Sequence, residues 1–277
     1  MNNSEGGRLR VRQDKPKKIQ ILLDFDDTIF PTTSYTNSKM KLEKLNTGRP
    51  SLGDCFDELK KNLLEEKVSL QDYDEKLHKF LKMLMKIGNV SIVTLSDKGW
   101  PLVSCGGLFD KSSSLMASIP IVHALEFRQD TRDNMEILKY KAMRSCLEKD
   151  IELLVSIGDS VCEANSAWRL KNESLVPRVL TVKLSDRPSG FELLESLKLL
   201  YILLPHMMTM SRHKDYEVIY TLKTEDSTFC LASHREAQLG RRCLPLSFSK
   251  TDQTTKIVED SLRYVLNDDF GNIPSDK

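Results

Sequence analysis

Three acids stand close together in Asp24-Phe25-Asp26-Asp27-Thr28, directly after the apolar run from Lys18 to Leu23. A short apolar run ending abruptly in acids is the pattern of a strand buried on both faces whose carboxyl end opens into a site. A chain leaving such a strand turns, so side chains two positions apart can share one pocket. Asp24 and Asp26 are therefore candidates for paired-carboxylate chemistry. Neighbouring carboxylates push their pKa values apart, so one can stay ionised while the other carries a proton. Three more places hold the residue types such a site needs. Thr94 ends a second apolar run, in Ile92-Val93-Thr94-Leu95-Ser96, and offers a hydroxyl. Gly158-Asp159-Ser160-Val161-Cys162-Glu163 follows a third run, Ile151 to Ile157, and supplies two acids of the hard oxygen type that suits magnesium. Lys139 and Lys141 share a helical stretch, and either could offset negative charge at the site.

In their order along the chain these elements resemble the four motifs of the haloacid dehalogenase-like superfamily, over roughly Lys18 to Met210. Asp24 to Thr28 is similar to its Asp-x-Asp-x-Thr signature, and the flanking Ile29-Phe30 fits. Leu138-Lys139-Tyr140-Lys141-Ala142-Met143 resembles a Trp-Lys-x-x-Ala-Phe pattern of uncharacterised eukaryotic members, with Leu138 in the Trp position, and this register favours Lys139. The resemblance implies that Asp24 attacks phosphorus and that Asp26 handles the leaving-group proton. It implies that Thr94 and Lys139 hold the phosphoryl oxygens. A magnesium ion would sit on Asp24, Asp26 and Asp159, with Glu163 orienting Asp159 or a metal-bound water.

Apolar runs alternating with helical patterns are what must position these residues. Helical stretches are expected at about Asp54 to Lys67, Leu70 to Ile87, Arg132 to Glu148, Glu163 to Lys171 and Ser189 to Leu204, with further strands at Ile119 to Leu125 and Val179 to Leu184. Such alternation implies right-handed crossovers and a doubly wound, Rossmann-like parallel sheet with helices on both faces, an α/β fold. Ligands then sit at the carboxyl ends of the strands. Pro31 to Ser38 reads as a loop, and Gly106 lies in a glycine-rich stretch. The segment at about 31–88 has room for one helical pair beyond the necessary crossover, so any cap is small and the site open. Asp27 reads as a structural acid and Trp100 as a core anchor. From about residue 211 the rhythm changes to two short strands, Glu217 to Leu222 and Thr228 to Ala232, and a helix from about Thr254 to Leu266. This is a small α+β extension that could take a protein partner. Residues 1–17 read as a disordered tail.

The bulk composition excludes several classes. The 277 residues are 40% hydrophobic, enough for one packed core and an appendage. Lys and Arg number 41 against 40 Asp and Glu, which gives no nucleic-acid signature. No apolar run reaches the length of a membrane helix, and the first residues lack the apolar stretch of a secretory signal. The six cysteines fall in no Cys-x-x-Cys pair, which favours reduced structural thiols and a cytoplasmic setting. The expected function is a magnesium-dependent phosphatase that forms an aspartyl phosphate on a phosphorylated small molecule or macromolecule. The alternative is a catalytically silent scaffold of the same fold that acts in binding or assembly.

Overall fold

The computed structural model describes residues 19–45, 49–211, 216–222, 227–233 and 244–248. Its centre is five parallel strands: β1 (Ile19–Leu23), β2 (Asn89–Thr94), β3 (Ile121–His123), β4 (Leu153–Gly158) and β5 (Val179–Lys183). They lie in the order β3-β2-β1-β4-β5. Winding runs outward from β1 to β3 and then reverses, with β4 pairing the other edge of β1. Ligands of open α/β sheets bind beyond the carboxyl ends of the strands at such a reversal.

Period-two alternation sorts the strand side chains into two cores. Ile21 and Leu23 of β1 face one side with Ile92, Val155, Ile157 and Leu180, whereas Leu22 faces the other with Val93, Leu154 and Val179. The first face is covered by α3 (Leu70–Ile87) and α8 (Gly190–Met210). In α3, Leu77, Phe80, Leu81 and Leu84 make one apolar stripe at helical spacing. The second face is covered by α6 (Met135–Ser145) and α7 (Val161–Asn172), through Leu138, Ala142, Met143, Ala167 and Leu170. The doubly wound α/β architecture expected from the sequence is therefore the one observed.

Several local expectations are corrected. The Pro31 to Ser38 loop is instead the start of helix α1 (Thr32–Leu45). Its hydroxyls do not compete with the helix because they have partners compatible with it: Ser38 Oγ donates to Ser34 O at 2.8 Å and accepts from Asn62 Nδ2 at 2.6 Å. That second bond comes from α2 (Leu52–Glu65), which also holds α1 through Lys41 and Glu58 at 2.6 Å. Thus α1 and α2 form the helical pair inserted before the crossover helix α3. The glycine-rich stretch is helix α4 (Trp100–Leu108), followed by α5 (Asp110–Met116). A Cβ at Gly107 would come within 2.3 Å of the Phe56 ring, so glycine there lets α4 approach α2 closely.

Strand β3 stops at His123, where a short 3-10 helix, Ala124–Phe127, begins. Helix α8 continues through Pro205 to Met210. Beyond it, β6 (Tyr216–Leu222) pairs parallel to β5, and β7 (Ser227–Ser233) and β8 (Leu244–Phe248) add antiparallel strands to the same sheet. Strand β8 has no counterpart in the sequence reading. The expected helix at 254–266 and the tail at 1–17 lie outside the described residues. Among the described residues no helix is long and apolar enough to cross a membrane, and Cys55, Cys105, Cys146 and Cys162 are free thiols.

Candidate active site

The chain leaves β1 at Asp24, whose N–H still donates to Ile157 O of β4 at 2.9 Å, and then folds tightly back on itself. The N–H groups of Thr28, Ile29 and Phe30 all turn towards Phe25 O, and buried Phe25, Ile29 and Phe30 anchor the loop. Asp27 takes the left-handed conformation (φ 53°), which a short polar side chain tolerates better than a branched one. Its carboxylate accepts from Thr33 N at 2.8 Å and Thr33 Oγ1 at 2.7 Å, which ties the loop to the start of α1. Asp27 is thus the structural acid of the three.

Asp24 is 6% exposed and meets Lys139, which is 1% exposed. Lys139 reaches from α6 under the sheet edge, its Nζ donating to Asp24 Oδ1 at 2.5 Å and to Val93 O at 2.8 Å. The same Nζ lies 2.8 Å from Glu163 Oε1. Lys141, two residues on, pairs instead with Asp133 at 2.7 Å outside this cluster. Helical geometry allows only one of the two lysines to face the sheet, and it is Lys139.

Asp159 and Glu163 come from the turn after β4 and the first turn of α7. Glu163 closes a capping box with Ser160, accepting from Ser160 N through Oε2 at 3.1 Å. Its side chain then lies over Gly158, where a Cβ would sit 2.6 Å from Glu163 Cγ, so the glycine is required by this close approach. Carboxylate oxygens of Asp24, Asp159 and Glu163 lie within 4.8 Å of one another.

Asp26 does not join that group. Its Oδ1 accepts from Thr32 Oγ1 at 2.7 Å and from the indole Nε1 of Trp100 at 3.3 Å, and its Oδ2 accepts from Thr94 Oγ1 at 3.1 Å. Thr94 in turn shares a 2.8 Å contact with the Ser96 hydroxyl and accepts from Ser96 N at 2.9 Å. The structure therefore brings Asp24, Lys139, Asp159 and Glu163 into one cluster, with Asp26 and Thr94 joined to each other beside it. Glu163, read from the sequence as a partner of Asp159, supplies the third carboxylate of the cluster. Thr32 and Trp100 are the contacts that the sequence reading missed. The Gly99-Trp100-Pro101 start of α4, with Gly99 at φ 86°, was the only local sign that the indole is aimed by its backbone.

Electrostatics follow from three carboxylates facing one ammonium. Burial pushes Asp24 well above the usual carboxylate range; Lys139 pulls it down, while Glu163 and Asp159 push it further up. Burial works against the charge of Lys139, but Asp24 and Glu163 outweigh it and raise the lysine. Lys139 therefore stays an ammonium, and the surplus negative charge of the acids is what burial disfavours. Asp159 is pushed up to about 7 by burial and then by Glu163 and Asp27, against Lys139 and Lys183. A cation would neutralise this surplus. The donors are all carboxylate oxygens, with spacing that a hard divalent ion can bridge at ligand distances of roughly 2.0–2.6 Å. The residues present thus fit a metal ion, and zinc's preferred nitrogen and sulfur donors are absent from the cluster. No protein-family profile, curated protein or solved structure matches the chain.

Proposed function

We propose that the chain is a magnesium-dependent phosphatase of the haloacid dehalogenase-like kind, acting on a phosphomonoester through an aspartyl phosphate on Asp24. The observation that carries this reading is the meeting of Asp24, Asp159, Glu163 and Lys139 at the β1–β4 reversal, with surplus negative charge and oxygen donors within 4.8 Å. The order of the motifs along the chain supports it. The free thiols fit a reducing compartment, and we place the protein in the cytoplasm.

In this reading Asp24, Asp159 and Glu163 are the candidate ligands of the ion. Magnesium, when bound, supplies charge neutralisation for the phosphoryl oxygens. A carboxylate oxygen of Asp24 forms the new bond to phosphorus as the bond to the leaving oxygen breaks, and that oxygen takes a proton from Asp26. Asp26 then removes a proton from water, whose oxygen attacks the phosphorus of the aspartyl phosphate. Inorganic phosphate leaves and Asp24 is restored. Lys139 holds Asp24 in place and brings positive charge to the developing transition state. An insertion as small as α1–α2 argues for an uncapped crevice, which suits a phosphate group on a larger molecule or a small substrate enclosed by a partner.

The test is turnover of a panel of phosphomonoesters with and without magnesium, together with acid-quench mass spectrometry of the Asp24 peptide. Asp24→Asn abolishes both turnover and the covalent adduct. Asp26→Asn lowers turnover by about 10² to 10⁴, most strongly for poor leaving groups, and lets the adduct accumulate with nitrophenyl phosphate. A wild-type protein that shows neither turnover nor a phosphoryl or beryllofluoride adduct at Asp24 is the catalytically silent scaffold instead.

A further inference from the structure

Asp26 stands two residues after the proposed nucleophile, yet its carboxylate is oriented by side chains from two helices that do not belong to the β1–β4 edge. Thr32 Oγ1 arrives from the first residue of α1, at 2.7 Å, and Trp100 Nε1 from the first residue of α4, at 3.3 Å. Both donate to the same oxygen, Oδ1. The indole has one N–H and no acceptor, so its only polar group is committed here.

The ring itself has little freedom. It meets Tyr35 at 5.0 Å between centroids and Phe30 edge-on at 5.7 Å, and Phe30 stacks on Phe25 at 5.7 Å within the loop that carries Asp26. Gly99 in the left-handed conformation and Pro101 immediately after Trp100 fix the backbone from which the ring projects. A half-buried tryptophan needs no carboxylate partner to pack, so the direction of its N–H is a separate fact from its packing.

Oδ1 accepts from two donors, whereas Oδ2 accepts from Thr94 Oγ1 alone, at 3.1 Å, and keeps a second lone pair able to carry a proton. Thr94 stands at the carboxyl end of β2, so Oδ2 lies on the crevice side. From this geometry we propose that Trp100, together with Thr32, is a positioning residue that reserves Oδ2 of Asp26 for proton delivery to the leaving group. This rests on the phosphatase reading for the role of Asp26, and it adds residues and an atom which that reading does not specify. In the first half-reaction the Oδ2–H bond breaks as the leaving oxygen gains the proton; in the second, Oδ2 regains one from the attacking water. Trp100 and Thr32 keep their own protons throughout.

Trp100→Phe preserves an aromatic ring and removes the N–H, and Thr32→Val preserves shape and removes the hydroxyl. An alkyl phosphate needs its leaving oxygen protonated, whereas nitrophenyl phosphate needs this much less. Each variant should therefore lose about tenfold more turnover on the alkyl ester than on the nitrophenyl ester, in the same direction as Asp26→Asn but less severely. Equal losses on both esters, in a variant that melts like wild type, would make Trp100 a packing residue only and overturn the proposal. A second readout does not depend on turnover. The chain has two tryptophans, so a spectrum of protein labelled with ¹⁵N in the indole gives two N–H signals, and Trp100→Phe identifies one of them. That signal should shift in Asp26→Ala; an unmoved signal would overturn the hydrogen bond itself. If wild type turns over neither ester, the phosphatase reading and the proton-delivery role fall together. If wild type is active and the variants are uniformly impaired, only the role of Trp100 and Thr32 falls.

Discussion

Two parts of the molecule gather charge, and they do so in opposite ways. On the outer layer, α3 and α8 border a groove of ≈ 490 Å³ lined by Asp72, Lys76, Lys79, Lys198 and Tyr201. There each lysine has acids within reach: Lys76 and Lys198 share Asp72 at 3.7 and 3.2 Å, Lys79 meets Glu75 at 2.6 Å, and Lys198 also meets Glu195 at 3.0 Å. These side chains are a quarter to a half exposed, and water screens them. At the β1–β4 edge, Lys139 faces Asp24 and Glu163 with all three side chains at most 7% exposed, and Asp159 adds a further acid. The outer groove is balanced and open to solvent, whereas the inner cluster is unbalanced and largely buried. Charge density by itself is common on a protein surface. Buried imbalance costs free energy, and a fold keeps it where a ligand or a reaction supplies the missing charge.

The largest effect should come from deepening that imbalance. Lys139→Met removes the cluster's ammonium and leaves its acids facing one another, and breaking a buried pair from one side costs about 3–5 kcal/mol. Asp24→Asn changes the same contact in the opposite sense, because it removes one surplus negative charge and keeps an acceptor for Lys139. Urea denaturation without metal should show Lys139→Met strongly destabilised and Asp24→Asn unchanged or more stable. A loss in Asp24→Asn comparable to that in Lys139→Met would mean that the cluster is an ordinary structural ion pair.

A cation should act on the inner cluster and leave the outer groove indifferent. At a concentration 100-fold above Kd, magnesium would stabilise the folded state by about 2.7 kcal/mol, and Asp159→Asn should abolish most of that gain. The pH dependence has a definite sign. The pKa of Asp159 is raised in the folded state, to about 7, so the folded protein holds a proton there that the unfolded chain has lost. Its contribution without metal is fully present below the unfolded pKa and fades as pH rises through about 7. Metal and proton compete for the same oxygens, so the rise in Tm on adding magnesium should be larger at pH 8 than at pH 6. Equal rises at the two pH values would show that Asp159 is not a ligand.

Much of the candidate site was legible in the sequence because it is built at strand ends. Asp24, Thr94 and Asp159 each end or follow an apolar run, and such a run marks both a buried strand and the place where it opens. Lys139 was legible only through its register against Lys141, which the helix then resolved by facing Lys139 to the sheet. The orientation of Asp26 was not legible, since Trp100 lies 74 residues away and joins it through folding. Helix α1 was hidden by a Thr-, Ser- and Asn-rich composition whose hydroxyls prefer turns until Asp27, Ser34 and Asn62 satisfy them. Strand β8 contains Pro245, which argues against a strand except at a sheet edge, and an edge is the position β8 holds.

The smallest effect should come from the outer groove, and it sharpens the comparison because the chemistry of the groups is the same. Lys198 bridges Asp72 of α3 and Glu195 of its own helix, and its pKa is raised: burial opposes its charge, but the two acids outweigh burial. Its side chain is still 33% exposed, and those of Asp72 and Glu195 are 40% and 27% exposed. Solvent therefore screens each Coulomb attraction, and holding the long side chain in one geometry costs rotamer entropy. Exposed pairs of this kind contribute about 0.2–1 kcal/mol, so Lys198→Ala should stay within that range, and the difference should shrink further in high salt. The stability change from Lys139→Met should respond far less to salt, because Lys139 and its partners Asp24 and Glu163 are buried away from the screening ions of bulk solvent. Measuring both variants at low and high ionic strength gives a direct contrast between the two regions. A Lys198 effect as large and as salt-insensitive as that of Lys139 would show that the groove is drier than its exposed side chains indicate, and the distinction between the two charge clusters would collapse.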